Sequence, residues 1–163
     1  MYKSIINSQI GLIEIKAGDE GIISVTFLDE NEVEKTSSEN SLVKDCIDQI
    51  NKYFQGELKV FNLTLDLRGT EFQKSVWNRL LQIEYGETIS YNYLAEELGD
   101  MKKVRAAANA NGQNPIALIV PCHRVIGSDG SLTGYAGGLW RKKWLLDHEA
   151  KFSNVDFQID FFE

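Results

Sequence analysis

Two cysteines and two histidines in 163 residues leave this chain little material for metal or disulfide chemistry. Cys46 and Cys122 make a poor disulfide framework. With His123 and His148 they form no spaced set of the kind that holds zinc. No metal and no other cofactor is expected. Any apolar run approaching the ~20 residues that cross a bilayer is also missing. The first residues, Met1-Tyr2-Lys3-Ser4-Ile5-Ile6, have neither the apolar core nor the cleavage site of a signal peptide. The expectation is a cytoplasmic protein with two free thiols and no membrane partner. Basic charge is scarce too: 17 Lys and Arg face 24 Asp and Glu, a net of −7. On average that disfavours nucleic acid, whose binding is driven by neutralised phosphates.

The average hides an asymmetry. Residues 1 to 69 hold 7 basic and 12 acidic side chains, a net of −5, whereas residues 101 to 151 hold 8 and 3, a net of +5. A local field matters more than the total for a polyanionic partner. Composition shifts at Arg68-Gly69-Thr70, which divides the chain into expected domains at 1–69 and 70–163.

The periodicities predict an α+β protein. In the first domain, Ile10 to Ile15 and Gly21 to Phe27 read as strands of a hairpin turned at Gly18 to Gly21. Asp29 to Asn40 reads as a loop or a frayed helix start. Leu42, Val43, Cys46, Ile47, Ile50 and Phe54 recur at helical spacing from Ser41 until near Gly56, which puts Cys46 in the core. Leu58 to Leu67 alternates as a strand should. This makes an N-terminal α/β domain with a small β-sheet.

The second domain reads as mostly helical. Thr70 can cap a helix whose buried side runs to Ile83, with Gly86 as its stop. Ser90 caps Tyr91 to Leu98, ended by Gly99, and Asp100 caps a further helix to about Asn111. Two short helices joined through Gly-Asp form a candidate helix-turn-helix. Ile116 to Val120 reads as a short buried strand, Gly127 to Gly138 as a glycine-rich loop. Leu139 to His148 reads as a last helix anchored by Trp140, Trp144, Leu145 and Leu146.

The feature richest in chemistry is the run Asn114-Pro115 through Pro121-Cys122-His123-Arg124-Val125. The proline stops the strand and places Cys122 at a turn, where a thiol can face a pocket. A free thiol ionises near pH ~8.5 and reacts as thiolate. A neighbouring His can take its proton through a water, and an acidic residue such as Glu149 can orient that imidazole.

Residues 70 to 149 resemble the C-terminal domain of the O6-alkylguanine-DNA alkyltransferases, also called methylated-DNA–protein-cysteine methyltransferases. The resemblance lies in Gly69-Thr70-Glu71-Phe72-Gln73, Ile89-Ser90-Tyr91, Val104-Arg105-Ala106, Asn114-Pro115, Pro121 to Gly127, Gly134 to Gly138 and Trp144 to Glu149. It implies a monomer that binds double-stranded DNA containing O6-alkylguanine, with O4-alkylthymine as a second candidate lesion, and moves the alkyl group to Cys122 once. By the same resemblance His123 is the base, Glu149 its carboxylate, Asn114 the brace of the active-site turn, and Tyr91 the group that positions the base and protonates the leaving guanine. Arg105 resembles the arginine that fills the space left by an extruded base. Ala106 lies on the same helix at the DNA, and Arg124 is expected among the DNA contacts. Val125, Tyr135, Ala136 and Gly137 resemble residues lining the base pocket. Gln113 stands where the family often has arginine, and Ala107-Ala108 where it commonly has Val-Gly.

Three other readings fit part of this pattern, one of them a cysteine hydrolase, which would turn over where an alkyl acceptor is used once. A non-enzymatic sensor of alkylated bases shares the domain, but carries tryptophan at the position of Cys122. A helix-turn-helix regulator would need no Cys-His-Glu relay.

Overall fold

The computed structural model describes residues 1–29 and 37–162, with 154–162 as helix backbone only. The chain forms two compact units. One is Met1–Thr70 with Pro115–Ile119, the other Glu71–Asn114 with Val120–Glu163. The short stretch Pro115–Ile119 therefore belongs to the first unit, although its neighbours in sequence on both sides belong to the second.

Three antiparallel strands, β1 (Tyr2–Ser8), β2 (Gly11–Ala17) and β3 (Ile22–Leu28), form the sheet of the first unit in the order β1-β2-β3. The hairpin of β2 and β3 lies where the β-branched residues and the turn at Gly18 to Gly21 placed it. β1 was not foreseen as a separate strand. Ile13, Ile15 and Ala17 of β2 and Ile22 and Val25 of β3 are buried. Helix α1 (Ser41–Phe54) packs on β1 and β2, with Val43, Cys46, Ile50 and Tyr53 fully buried. Each such aliphatic side chain contributes about 1.5–3 kcal/mol. Asn40 caps α1 by accepting the Val43 N–H at 3.0 Å, and its amide donates to the Gly18 carbonyl at 3.3 Å. Most of the expected loop between Asp29 and Asn40, residues 30–36, lies outside the described residues.

The strand expected over 58–67 does not form. The Gln49 amide takes both backbone groups of Asn62, at 2.8 and 3.0 Å, and so supplies what a ladder would. Val60 is exposed. What remains is one parallel bridge between Ile22 and Leu65, made by Ile22 N–H to the Thr64 carbonyl and Asp66 N–H to the Ile22 carbonyl. Gly21 permits that approach: a Cβ there would stand 2.9 Å from three backbone atoms of Thr64, Leu65 and Asp66.

The buried strand expected over 116–120 is also replaced. Ile116 makes a single bridge to Val25, and the chain then turns back through Leu118 at φ +71, closed by an Ile119 N–H to Ala117 carbonyl bond of 2.8 Å. A leucine in that region costs about 1–3 kcal/mol. Its burial in the core, at 1 % exposure, holds it there.

The second unit is built of α2 (Glu71–Leu80), α3 (Tyr91–Glu97), α4 (Val104–Gly112) and α5 (Leu139–Phe162). α2 ends three residues before Ile83, which is buried from the turn that follows. Ser90 caps α3 by accepting the Tyr93 N–H, and Asp100 caps a 3-10 turn, Met101–Lys103, that leads into α4. Trp77 of α2 donates its indole N–H to the Ala110 carbonyl at 2.8 Å and anchors α4. Two residues of β4 (Ile89–Ser90) pair in parallel with β5 (Val125–Ile126). α5 runs well beyond the expected end at His148. Trp140 is not an anchor but 57 % exposed. The buried face carries Lys142, Leu145 and Glu149, spaced as one side of a helix requires.

Candidate active site

Two tight turns deliver Cys122. After the turn at Leu118, Pro121 at φ −82 and ψ 64 forms a three-residue turn closed by Cys122 N–H to the Val120 carbonyl at 2.8 Å. Cys122, His123 and Arg124 then make one turn of 3-10 helix, all three buried. Asn114 ties this corner from outside: its Nδ2 donates to the Val120 carbonyl at 2.7 Å, and its side chain also hydrogen-bonds the thiol. Asn111, at the end of α4, donates to the Cys122 carbonyl at 3.3 Å.

Behind the thiol lies a buried carboxylate with four donors. Glu149 receives His123 Nε2 at 2.6 Å, Arg124 Nε at 2.8 Å and Nη2 at 3.0 Å, and the Gly86 N–H at 3.2 Å. Burial pushes Glu149 up, but His123 and Arg124 outweigh it and hold the carboxyl well below the usual carboxylate range. An ionised Glu149 accepts only, so Nε2 of His123 carries the proton and Nδ1 is left as the basic nitrogen. Nδ1 is buried and has no hydrogen-bond partner among the described residues. Burial depresses the His123 pKa more than Glu149 raises it, so the ring is neutral and able to accept. Burial also raises the Cys122 pKa, against the Asn114 bond and the Lys142 charge, which lower it.

A cavity of about 330 Å³ is lined by Tyr91, Val104, Arg105, Ala108, Thr133 and Tyr135 among others, and two of these, Tyr91 and Tyr135, interact electrostatically with Cys122. The β4–β5 pairing brings Ser90, and with it Tyr91 at the head of α3, alongside the active-site turn. The Tyr91 hydroxyl donates to the Thr133 carbonyl at 3.0 Å and accepts from Lys142 Nζ at 3.3 Å.

Comparison with known proteins decides the family. Residues 1–67 match the 6-O-methylguanine DNA methyltransferase ribonuclease-like domain, and residues 71–151 match the 6-O-methylguanine DNA methyltransferase DNA binding domain. A methylated-DNA–protein-cysteine methyltransferase of Methanosarcina acetivorans is 48 % identical, over 91 % of this chain and 98 % of that one. One from Mycobacterium bovis is 54 % identical, over 70 % of this chain and 69 % of that one. The crystal structure of Mycobacterium tuberculosis OGT in complex with DNA superposes with a TM-score of 0.85 at 43 % identity, covering 93 % of this chain and 94 % of that one.

The chain belongs to the 6-O-methylguanine DNA methyltransferase family.

Within this methyltransferase fold the expected residues fall in three groups. Cys122, His123, Glu149, Asn114 and Tyr91 converge as described. Arg105 and Tyr135 line the cavity, while Ala106 is exposed on α4 beside it. Val125 is buried in β5, Ala136 is exposed, and the Gly137 carbonyl accepts Arg141 Nη1 at 2.9 Å. Arg124 is the correction. Expected at the DNA, it is buried, with two bonds to Glu149 and a third, from Nη1, to the Ile83 carbonyl at 2.7 Å. Its guanidinium is turned into the interior and not presented to a phosphate.

Sequence reasoning missed Lys142, Asn111 and Thr133. Lys142 lies seven residues before Glu149 on α5, which puts both on one face two turns apart. That spacing was the available signal, and the tryptophans on either side obscured it. The burial of Arg124 and Lys142 removes two basic groups from residues 101 to 151 and that of Glu149 one acidic group, so the basic excess of the stretch falls only by one.

Proposed function

We propose that this protein repairs alkylated DNA by moving an alkyl group from O6 of guanine to Cys122 in one displacement. The observation that carries the assignment of residues is the His123–Glu149 bond, which leaves Nδ1 as the basic nitrogen of a neutral, buried imidazole in the residue next to Cys122. The Cys122 proton passes to Nδ1, through a water where direct contact is not made, and Glu149 stabilises the imidazolium that results. The thiolate attacks the alkyl carbon: the S–C bond forms, the C–O6 bond breaks, and the electron pair leaves with the guanine, which is protonated by Tyr91. The thioether is stable, so each molecule acts once.

O6 lies within the base stack, so the nucleotide must be extruded to reach the thiol. Arg105, which is exposed and lines the cavity, enters the space it leaves, and Ala106 with the small face of α4 allows close approach to the minor groove. Tyr135, Val125, Ala136 and Gly137 bound the guanine. The partner is double-stranded DNA with O6-alkylguanine, read by a monomer in the cytoplasm. No described helix is long and apolar enough to cross a membrane.

Intact-mass analysis after incubation with a duplex containing O6-methylguanine tests this reading. One methyl should replace the thiol proton at Cys122, and Cys122→Ser should gain nothing. Lesion binding by folded, reduced protein without any mass change would replace the reading with that of a non-enzymatic sensor.

A further inference from the structure

The outer side of α4 carries two stripes. Val104, Arg105, Ala108 and Gly112 line the cavity. Arg105, Asn109 and Gln113, spaced by four, form the second stripe, and all three are exposed. Arg105 belongs to both. A base extruded into the cavity on one side of Arg105 therefore leaves the bases that stay paired under Asn109 and Gln113. At about 1.5 Å per residue, Gln113 lies about 12 Å along the helix from Arg105. That is roughly three to four base steps of about 3.4 Å.

Gln113 is the member of this stripe whose side chain is held by another helix. Its Oε1 accepts from Nε2 of Gln73 on α2 at 2.7 Å. Its backbone N–H closes α4 on the Asn109 and Ala110 carbonyls at 3.1 and 3.2 Å, so the side chain is not needed for that. With Oε1 engaged, the group Gln113 offers is Nε2, which carries two N–H donors and no acceptor. The minor-groove edge of an A·T pair presents acceptors only, A N3 and T O2, whereas a G·C pair adds the guanine 2-amino donor. Two donors brought face to face make no bond.

We infer that Gln113, oriented by Gln73, makes repair depend on the sequence beside the lesion. It donates to A N3 or T O2 in the minor groove and so favours A·T over G·C at the pairs it reaches. This rests on the reading of α4 as the helix laid in the minor groove next to the extruded base. Gln113 touches the DNA, and Gln73 is a positioning residue that acts through it.

The test is the second-order repair rate on duplexes whose O6-methylguanine is flanked by A·T, G·C or inosine·C pairs. Inosine differs from guanine only in lacking the 2-amino group, so inosine·C presents no minor-groove donor. Weaker pairs also open more easily, so the contact is read from the ratio of wild type to Gln113→Ala, duplex by duplex. That ratio should be about tenfold higher on A·T and inosine·C than on G·C, within the usual cost of one wrong pair. Gln113→Glu exchanges the donor for an acceptor of nearly the same shape. It should bind DNA more weakly and favour G·C over inosine·C. Gln73→Ala frees the Gln113 amide to turn, and should shrink the wild-type preference without slowing repair of the G·C duplex.

A wild-type-to-variant ratio that is equal on all three duplexes overturns the proposal. Flanking 7-deazaguanine changes only the major-groove edge. A ratio that follows this change and ignores inosine would put α4 in the major groove and sink the reading beneath the proposal as well. A wild type that gains no methyl would sink the acceptor assignment alone. Fluorescence anisotropy with undamaged duplexes of the same sequences would then give the ratios that decide.

Discussion

Arg124 and Glu149 meet through two bonds, Nε to Oε1 at 2.8 Å and Nη2 to Oε2 at 3.0 Å, and the same Oε2 receives His123 Nε2 at 2.6 Å. Sequence neighbours thus act on one carboxylate from two sides. Arg124 fixes where Glu149 sits, and Glu149 fixes which nitrogen of His123 is basic.

Removing Arg124 should therefore damage both stability and repair. Arg124→Ala leaves Glu149 buried without its main counter-charge, a loss of about 3–5 kcal/mol to be read from urea unfolding at neutral pH. The surviving folded fraction should repair duplex DNA more slowly yet bind it normally, since the guanidinium faces inward. A selective loss of DNA affinity with unchanged stability would contradict this placement.

Glu149→Gln should separate orientation from charge. The amide can still occupy the cradle, but it no longer selects the Nε2–H tautomer or stabilises an imidazolium. We expect the repair rate to fall by about 100-fold or more, within the range for a positioned acid-base pair, with lesion binding intact.

Acid should weaken the fold through the same pair. Glu149 is held below its unfolded value, near ~4.3, so its contribution is present above that pH and is lost on acidification. His123 is buried neutral with a lowered pKa, so the unfolded chain binds the extra proton below about pH 6.5. Both effects have one sign: stability declines as pH drops from about 6.5 through 4. Denaturant midpoints at three pH values should show that decline, and it should be shallower in Glu149→Gln.

Asn114→Ala deletes the 2.7 Å bond to the Val120 carbonyl and the bond to the thiol. The thiol pKa should rise and methyl transfer slow by about tenfold, equivalent to ~1.4 kcal/mol. Iodoacetamide rates against pH would reveal the shift directly.

Arg105→Ala should impair extrusion without touching the thiol. Repair of a lesion in duplex DNA should slow, while iodoacetamide alkylation of Cys122 stays at the wild-type rate. Equal duplex repair by the variant would remove the finger role.

Local chemistry was legible and long-range commitment was not. Ser90 and Asp100 announced α3 and the turn before α4 because a cap needs only its own neighbours. Pro121-Cys122-His123 announced a reactive corner because its chemistry lies in adjacent residues. Arg124 was read as a surface cation because nothing nearby shows that Glu149, 25 positions on, claims it. The alternation in 58–67 misled because the Gln49 side chain competes for the same backbone groups. Leu118 gave no turn signal, since its left-handed conformation is imposed by burial and not by its residue type.

The stretch Pro115–Ile119 also has a consequence for the order of synthesis. Val25 of β3 bonds to the Pro115 carbonyl and the Ala117 N–H, so that edge stays unpaired on a ribosome that has made only the first 70 residues. At about 5–20 residues per second, the chain from Thr70 to Ile119 takes roughly 2–10 s to appear. During that interval the nascent protein displays an open strand edge, the feature that chaperones and neighbouring chains recognise. The segment that leads into the reactive corner is thus also the one that ends the nascent chain's exposure.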